Sequence, residues 1–576
     1  MTLFRLIAAV ALLCLTTPAA HAQGFLHAEG THIVDGDGKP MLLRGMGLGG
    51  WMLQEGYMLG LGDLGKGQQH VIRAHIADLI GEERTAAFYR AWLDHYVTKA
   101  DIDAMGRWGF NSIRLPMHYN LLLDETAPAG VDRWNEDGFR RIDTLIDWAR
   151  ANRIYVILDL HAAPGGQGTD LPIADRDPAK PSLWDNAENQ RRTVALWKKL
   201  AARYADEPWV GGYDILNEPN WDFEGEGGGH GCKETRNAPL TALLERITTA
   251  IRAVDRNHMI IIEGNCWGNN YAGMLPPWDD NMVLSFHKYW NANTDEELAT
   301  ILGLRERYGV PVWLGESGEN SNVWFRDAIR LVESRGIGWS WWPLKKIGFN
   351  NPLEIVPDEG WKGLVAYWLH GGPRPSADEA AQALMRLATH DVTFANNVQH
   401  PDVIDAMFRL PHSDRAVPFK THRLADGPLM IAAADYDMGP AGVAYRDRID
   451  ANYHIATGGN RTEWNDGRTY RNDGVDIARE PDGTPYVDQF EAGEWIQFTI
   501  DAARDGAAPV MLDARTAAGA TMTISVNDGA PVRVPIVATK DWRSVSAGKL
   551  TFLPGTNRIR LAVANSEASL RSLTIE

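Results

Sequence analysis

The chain is poor in cysteine, in basic charge and in long apolar runs, and each shortage excludes something. It has three cysteines, and Cys14 lies in an N-terminal segment expected to be removed. That leaves Cys232 and Cys266. An oxidising compartment permits a disulfide between them, with two buried thiols as the alternative. The longest early apolar stretch, Leu6–Leu15, is too short to cross a bilayer, and no later stretch is long enough. A formal charge of −18 argues against a nucleic-acid surface, which should be basic. No Gly-x-Gly-x-x-Gly joins the end of the first strand directly to a helix, and there is no His-Glu-x-x-His pair. No glycine-rich phosphate loop follows the late strands of the main repeat. No metal or cofactor is therefore expected.

What is present begins with a leader. Arg5 gives a basic start, an apolar stretch follows, and Ala20-His21-Ala22 fits a small-x-small cleavage site, so residues 1–22 read as a signal peptide. A secreted or periplasmic protein beginning near Gln23 is expected. No membrane association follows removal of the leader, and a monomer is the expected state. A mature chain of about 550 residues implies more than one domain. From Leu42 onward, short apolar runs alternate with helical spacing. Strands are predicted over 42–51, 110–116, 155–161, 210–219, 259–264, 283–289, 312–316 and 338–342. Phe139, Ile142, Leu145, Ile146 and Ala149 share one helical face, as do Leu240, Leu243, Leu244, Ile247 and Ile251. A further helix is expected around 322–334. Eight strands with helical crossovers predict an α/β fold, a (β/α)8 TIM barrel over 23–410. Helical spacing disappears after 427. Alternating runs such as Met522-Thr523-Ile524-Ser525-Val526 predict an all-β jelly-roll sandwich over 428–576, joined by a linker at 411–427.

Polar residues recur where the predicted barrel strands end: Arg114, His161, Asn217 with Glu218, His287 with Tyr289, Glu316, and the pair Trp341 and Trp342. A buried strand has no packing reason to end repeatedly in charge, and in a barrel those ends converge on one mouth. Glu218 and Glu316 are the candidate catalytic pair. Glycosidic cleavage needs an acid for the leaving oxygen and a carboxylate at the anomeric carbon; at a separation of ~5–5.5 Å the second attacks directly and configuration is retained. Arg114 is suited to holding one carboxylate and Tyr289 to hydrogen-bonding it. Twenty-two tryptophans, many before glycine or polar residues in predicted loops, suit stacking on sugars as well as core packing.

Asn217-Glu218-Pro219, Arg114 within Asn111-Ser112-Ile113-Arg114-Leu115-Pro116, His161, His287-x-Tyr289, Gly315-Glu316 and the final Trp pair together resemble glycoside hydrolase family 5, from about residue 24 to 345. The resemblance implies a retaining double displacement with Glu218 as acid/base and Glu316 as nucleophile. Arg114 and Tyr289 would orient Glu316, His287 would lie near Glu218, and His161 and Asn217 would hold substrate hydroxyls. Trp342, with Trp341, would lie beneath the sugar. Glu319 lies past the strand end and is expected in a loop. Leu48-Gly49-Gly50-Trp51-Met52-Leu53-Gln54-Glu55 and Leu160-His161-Ala162-Ala163-Pro164-Gly165-Gly166-Gln167 resemble the exo-β-1,3-glucanase branch, which implies that Glu55 bonds a terminal glucose. Leu344 stands where that branch would place an aromatic, which keeps β-1,4-glucanase, β-1,6-glucanase and mannanase open as substrate readings. A β-glucan polysaccharide or oligosaccharide is the expected partner. Gly442-Val443-Ala444-Tyr445-Arg446-Asp447, Tyr470-Arg471 with Gly474-Val475-Asp476-Ile477, and Gly493-Glu494-Trp495-Ile496-Gln497-Phe498 resemble a family 6 carbohydrate-binding module, which implies Tyr470 and Trp542 as glycan-contacting rings. Ala432 and Ala434 replace that module's usual acidic pair, and Ser569 its sugar-contacting Asn.

Overall fold

The computed structural model describes residues 24–225, 227–449, 451 and 464–576; the expected signal peptide lies outside them. Eight parallel strands close into a barrel. They are β1 (Arg44–Gly47), β2 (Ser112–His118), β3 (Tyr155–Ala162), β4 (Val210–Asp214), β5 (Met259–Glu263), β6 (Met282–Lys288), β7 (Val312–Gly318) and β8 (Trp339–Trp342), with β8 pairing β1. They are buried almost throughout, because the helices cover their outer faces and side chains fill the interior. A short N-terminal hairpin, His27–Glu29 with His32–Val34, packs beside the strand starts, where Ala28 N–H bonds Asn281 Oδ1 at 2.8 Å.

The helices form where the spacing predicts. Glu136–Ala151 starts at Asn135, whose side chain accepts the Asp137 N–H, carries Glu136 and Asp137 in its first turn, and buries Phe139, Ile142, Leu145, Ile146 and Ala149. Asn322–Ser334 starts at Ser321, whose hydroxyl accepts the Trp324 N–H. The fourth strand departs from its predicted extent. Regular pairing stops at Asp214, and Glu218 takes a left-handed backbone (φ 42°) rather than ending an extended strand. Its N–H then turns onto Glu263 Oε2 at 2.7 Å instead of a neighbouring carbonyl.

The segment read as a linker, 411–427, makes regular contacts of its own. Val417 pairs with Met438, the Phe419 ring lies 4.4 Å from the Arg471 guanidinium, and Arg423–Leu424 joins a sheet beside Trp495–Ala502. Two sheets of six strands follow, packed around their own core, which includes Phe498, Leu512, Ile524 and Leu561.

Candidate active site

Arg114, fully buried on β2, is the hub of the barrel mouth. Its Nη1 donates to Glu316 Oε2 at 2.6 Å, its Nε to Asp214 Oδ2 at 2.9 Å, and its Nη2 to Asn217 Oδ1 at 2.7 Å and Glu263 Oε1 at 3.0 Å. Asp159 Oδ2 lies 3.2 Å from Nη1. Burial holds the carboxyls of Asp159 and Asp214 well above the usual range, despite the adjacent guanidinium. The second donor to Glu316 is Tyr289, whose hydroxyl bonds Oε1 at 2.6 Å. Burial, with Glu316 beside it, holds that phenol well above its usual value, so it remains a donor.

A bulge sets Glu316 against its neighbour. Between β6 and β7 the register runs Phe286 with Leu314 and then His287 with Glu316, skipping Gly315. Without that extra residue, His287 would face Gly315 and Glu316 would take the other face of the strand. Gly315 is needed there, since a Cβ would fall 2.0 Å from Ser285 Oγ. His287 Nδ1 lies 2.6 Å from Glu218 Oε1, and Nε2 lies 3.2 Å from Glu263 Oε1. Although burial opposes charge on the ring, the carboxylates of Glu263 and Glu316 hold the imidazole well above its ordinary value. Glu218 is pushed up to about 7 by burial, against the hydrogen bond from His287. Glu263 goes the other way, to about 2: burial opposes its charge, but His287, Arg114 and the Glu218 N–H outweigh it. Carboxylate oxygens of Glu218 and Glu316 and a nitrogen of His287 all lie within 4.8 Å of one another. Among the described residues this is the one grouping with metal-like spacing. Both His287 nitrogens in it are turned to carboxylates, of Glu218 and Glu263.

The mouth opens as a cleft of about 660 Å³ lined by Glu55, Tyr57, His161, Trp267, Trp290 and Trp342, with both candidate carboxylates on its floor. Trp342 stacks on His161 with centroids 5.1 Å apart and planes 3° apart, and its Nε1 donates to Tyr57 Oη at 2.8 Å. His161 is driven down to about 3 by burial, so it is neutral: Nδ1 faces Asp159 at 2.7 Å, and Nε2 faces the Asn217 amide at 3.2 Å. Burial, reinforced by Glu316 and Glu319, holds the Glu55 carboxyl well above the usual range. Glu319 follows β7 in a loop, as expected, and pairs with Lys346.

Of the expected site residues, Glu55, Arg114, His161, Asn217, Glu218, His287, Tyr289, Glu316 and Trp342 meet at this mouth. Trp341 does not. Successive strand residues face opposite ways, and Trp341 points outward, packing against Phe325 (5.5 Å) and Trp339 (5.2 Å) under the Asn322–Ser334 helix. Tyr470 and Trp542 lie in the C-terminal sandwich and have different partners. The Tyr470 hydroxyl donates to Asp435 Oδ1 at 2.5 Å and accepts from Lys420 at 2.6 Å. Trp542 meets Tyr486 edge-on and has the Arg515 and Arg571 guanidinium groups 4.4 and 4.9 Å from its ring. Glu263, Asp159 and Asp214 were not anticipated. Glu263 had a legible signal, since it ends the run Met259-Ile260-Ile261-Ile262 in the same way that the other mouth residues end their strands. Cys232 and Cys266 form a disulfide.

Residues 75–347 match the cellulase family, glycosyl hydrolase family 5. A β-xylosidase of Phanerodontia chrysosporium is 30% identical over 372 residues, covering 58% of this chain and 74% of that protein. The chain belongs to glycosyl hydrolase family 5. Endoglucanase C of Acetivibrio thermocellus is 26% identical over 204 residues, covering 35% of this chain and 53% of the relative. A probable glucan 1,3-beta-glucosidase A of Aspergillus niger is 28% identical over 211 residues, covering 36% and 49%. The chain thus spans about half the length of these two relatives. Family 5 membership makes the protein an O-glycosyl hydrolase, and the closed eight-stranded parallel barrel is the architecture expected from its sequence.

Proposed function

We propose that the protein is an exported, retaining β-glycosidase acting on β-glucan, with β-1,3-linked chains favoured. One observation carries the reading: oxygens of Glu218 and Glu316 lie within 4.8 Å, close enough for one sugar carbon and its leaving oxygen to sit between them. Glu218, with its carboxyl near 7, holds a proton at mildly acidic pH and gives it to the leaving oxygen. Glu316, gripped by Arg114 and Tyr289, attacks the anomeric carbon. The glycosyl–enzyme ester is then opened by water, whose proton passes to Glu218. Trp342 lies beneath the reacting ring, and Asn217 and Glu55 bond its hydroxyls. The endoglucanase and glucan 1,3-beta-glucosidase relatives support a glucan. Export is supported by the leader-like N-terminus and by the disulfide. The sandwich is read as a glycan-binding module on its resemblance alone. A second reading, a β-xyloside substrate, is favoured by the printed name of the Phanerodontia relative.

Replacement decides the mechanism. Glu316→Ala is expected to lose roughly 10⁴-fold in kcat. Added azide should restore turnover of a dinitrophenyl β-glycoside, giving the α-glycosyl azide. Glu218→Ala with azide should give the β-glycosyl azide. Wild-type rates retained in Glu316→Ala would end the assignment. Laminarin, pustulan, carboxymethyl cellulose and mannan, beside nitrophenyl β-glucoside and β-xyloside, separate the substrate readings.

A further inference from the structure

Across the barrel mouth from Trp342, which ends β8, the loop after β5 brings Trp267 and Asn269 into the cleft wall, and the loop after β6 brings Trp290. Two consecutive residues with side chains are left-handed here: Cys266 (φ 56°, ψ 56°) and Trp267 (φ 52°, ψ 49°). Each such residue costs about 1–2 kcal/mol and persists only where its surroundings hold it. Three sets of contacts hold this pair. Cys266 is bonded to Cys232. The Asn265 side chain accepts the N–H groups of Trp221 and Cys266 and donates to Trp221 O and Asn237 Oδ1. Trp267 N–H donates to Pro219 O at 3.1 Å, directly beside Glu218. The His230 ring backs the indole at 4.9 Å. Behind the turn, Gly268 lies so near His287 that a Cβ would sit 3.5 Å from its Cδ2. The turn is therefore wedged between the partner of Glu218 and the loop that carries Cys232.

We propose that Trp267 is the platform for the leaving-group sugar, and that the Cys232–Cys266 bridge makes recognition of that sugar depend on oxidation state. The proposal rests on Glu218 being the acid. The oxygen it protonates belongs to the leaving group, so the ring beside Glu218 and away from Trp342 faces that group. A half-buried indole there offers a flat apolar face to a sugar. Cys232 is exposed, so a dithiol can reach the bridge. In that exchange dithiothreitol gives up two electrons and leaves as its cyclic disulfide, and each cysteine gains a proton. Untied, the left-handed pair loses one of its three restraints, and the indole is held less firmly.

The test compares, in the full-length chain, kcat/KM for laminaritetraose with kcat/KM for β-glucosyl fluoride, whose leaving group has no ring. In Trp267→Ala the tetraose-to-fluoride ratio should fall on the order of tenfold. In Trp267→Phe it should fall less. Dithiothreitol, or the paired Cys232→Ala and Cys266→Ala exchange, should lower the ratio several-fold in the wild-type background and add nothing in Trp267→Ala. A ratio unmoved in Trp267→Ala, or reduction that depresses both substrates equally, overturns the proposal while leaving the hydrolase reading in place. Failure of the wild-type protein to cleave either substrate removes both.

Discussion

The side chains around Arg114 form a charge balance that explains how two glutamates in one cleft hold different jobs. Arg114 and the upward-shifted His287 are its cationic side. Burial holds the Asp159 and Asp214 carboxyls well above their usual range and pushes Glu218 up to about 7, whereas Glu263 is drawn down to about 2 by His287 and Arg114. His287 opposes the upward shift of Glu218, both by hydrogen bond and by charge. The sign follows directly. Glu218 must be protonated to act as an acid, so kcat/KM of the free enzyme should fall as pH rises through about 7. In His287→Asn a group that stabilises the ionised form is gone, so the alkaline limb should move to higher pH while the maximum rate drops. A pH profile of kcat/KM on an aryl β-glycoside checks both, and a limb that stays put or moves down refutes the coupling. At this scale the sequence is only partly readable. Arg114, Glu218 and Glu316 stand out because charge at a buried strand end has no packing excuse. Asp159 and Asp214 do not stand out, because they lie within strands whose inward face cannot be told from the outward one by composition.

Among the loops at the mouth, the connection after β3 carries Asp170, Pro172 and Ile173 into the cleft, and its shape depends on Asp175. Asp175 is left-handed (φ 48°). Its Oδ1 accepts from the N–H and Nδ1 of His70 at 2.9 and 2.8 Å, and its Oδ2 faces His118 Nε2 at 3.1 Å. Although burial opposes charge, these bonds pull Asp175 down to about 2, and they hold His70 above its ordinary value. The depressed carboxyl contributes at every pH above the ordinary carboxylate range and is lost only as pH falls through about 2. The raised His70 contributes fully below the unfolded histidine value and is lost as pH climbs past its folded value. The clasp is therefore tighter at pH 6 than at pH 9. Hydrogen exchange over residues 163–186 should show more protection at the lower pH, after correction for intrinsic rates. Asp175→Ala should erase that difference and lower kcat/KM on oligosaccharides. Equal protection at both pH values in the wild-type chain refutes the clasp. Nothing in the sequence marks a left-handed aspartate or glutamate. For the same reason the fourth strand reads as running to Pro219, when Glu218 has already turned away.

Barrel and sandwich are joined by buried polar contacts rather than by a tether. Asn472, fully buried, donates to Asn320 O at 2.8 Å and to Asn322 Oδ1 at 3.0 Å, while its carbonyl accepts the Asn322 N–H at 2.8 Å. Asp402 accepts from both Asn322 Nδ2 and the Asn472 N–H, at 2.8 and 2.9 Å, and the Ser321 hydroxyl donates to Ala451 O. Asn320, Ser321 and Asn322 come directly after β7, the strand of Glu316, so the sandwich closes the loop behind the nucleophile. The change in texture near residue 427 falls after the last α-helix, which ends at Phe408, and after Arg423–Leu424 has already joined a sandwich sheet. It carries no trace of this interface, because contacts made by asparagine amides and backbone look like ordinary loop composition. Removing one amide strands buried acceptors on the other body, which costs about 1–3 kcal/mol. Asn472→Ala should therefore lower unfolding free energy by about 2 kcal/mol and reduce kcat without moving the pH profile. Calorimetry of the wild-type chain should show barrel and sandwich melting in one transition, since neither can release the other without exposing unpaired polar groups. Two separate transitions in the wild-type chain, or an Asn472→Ala variant as stable as its parent, would mean the two bodies are merely adjacent.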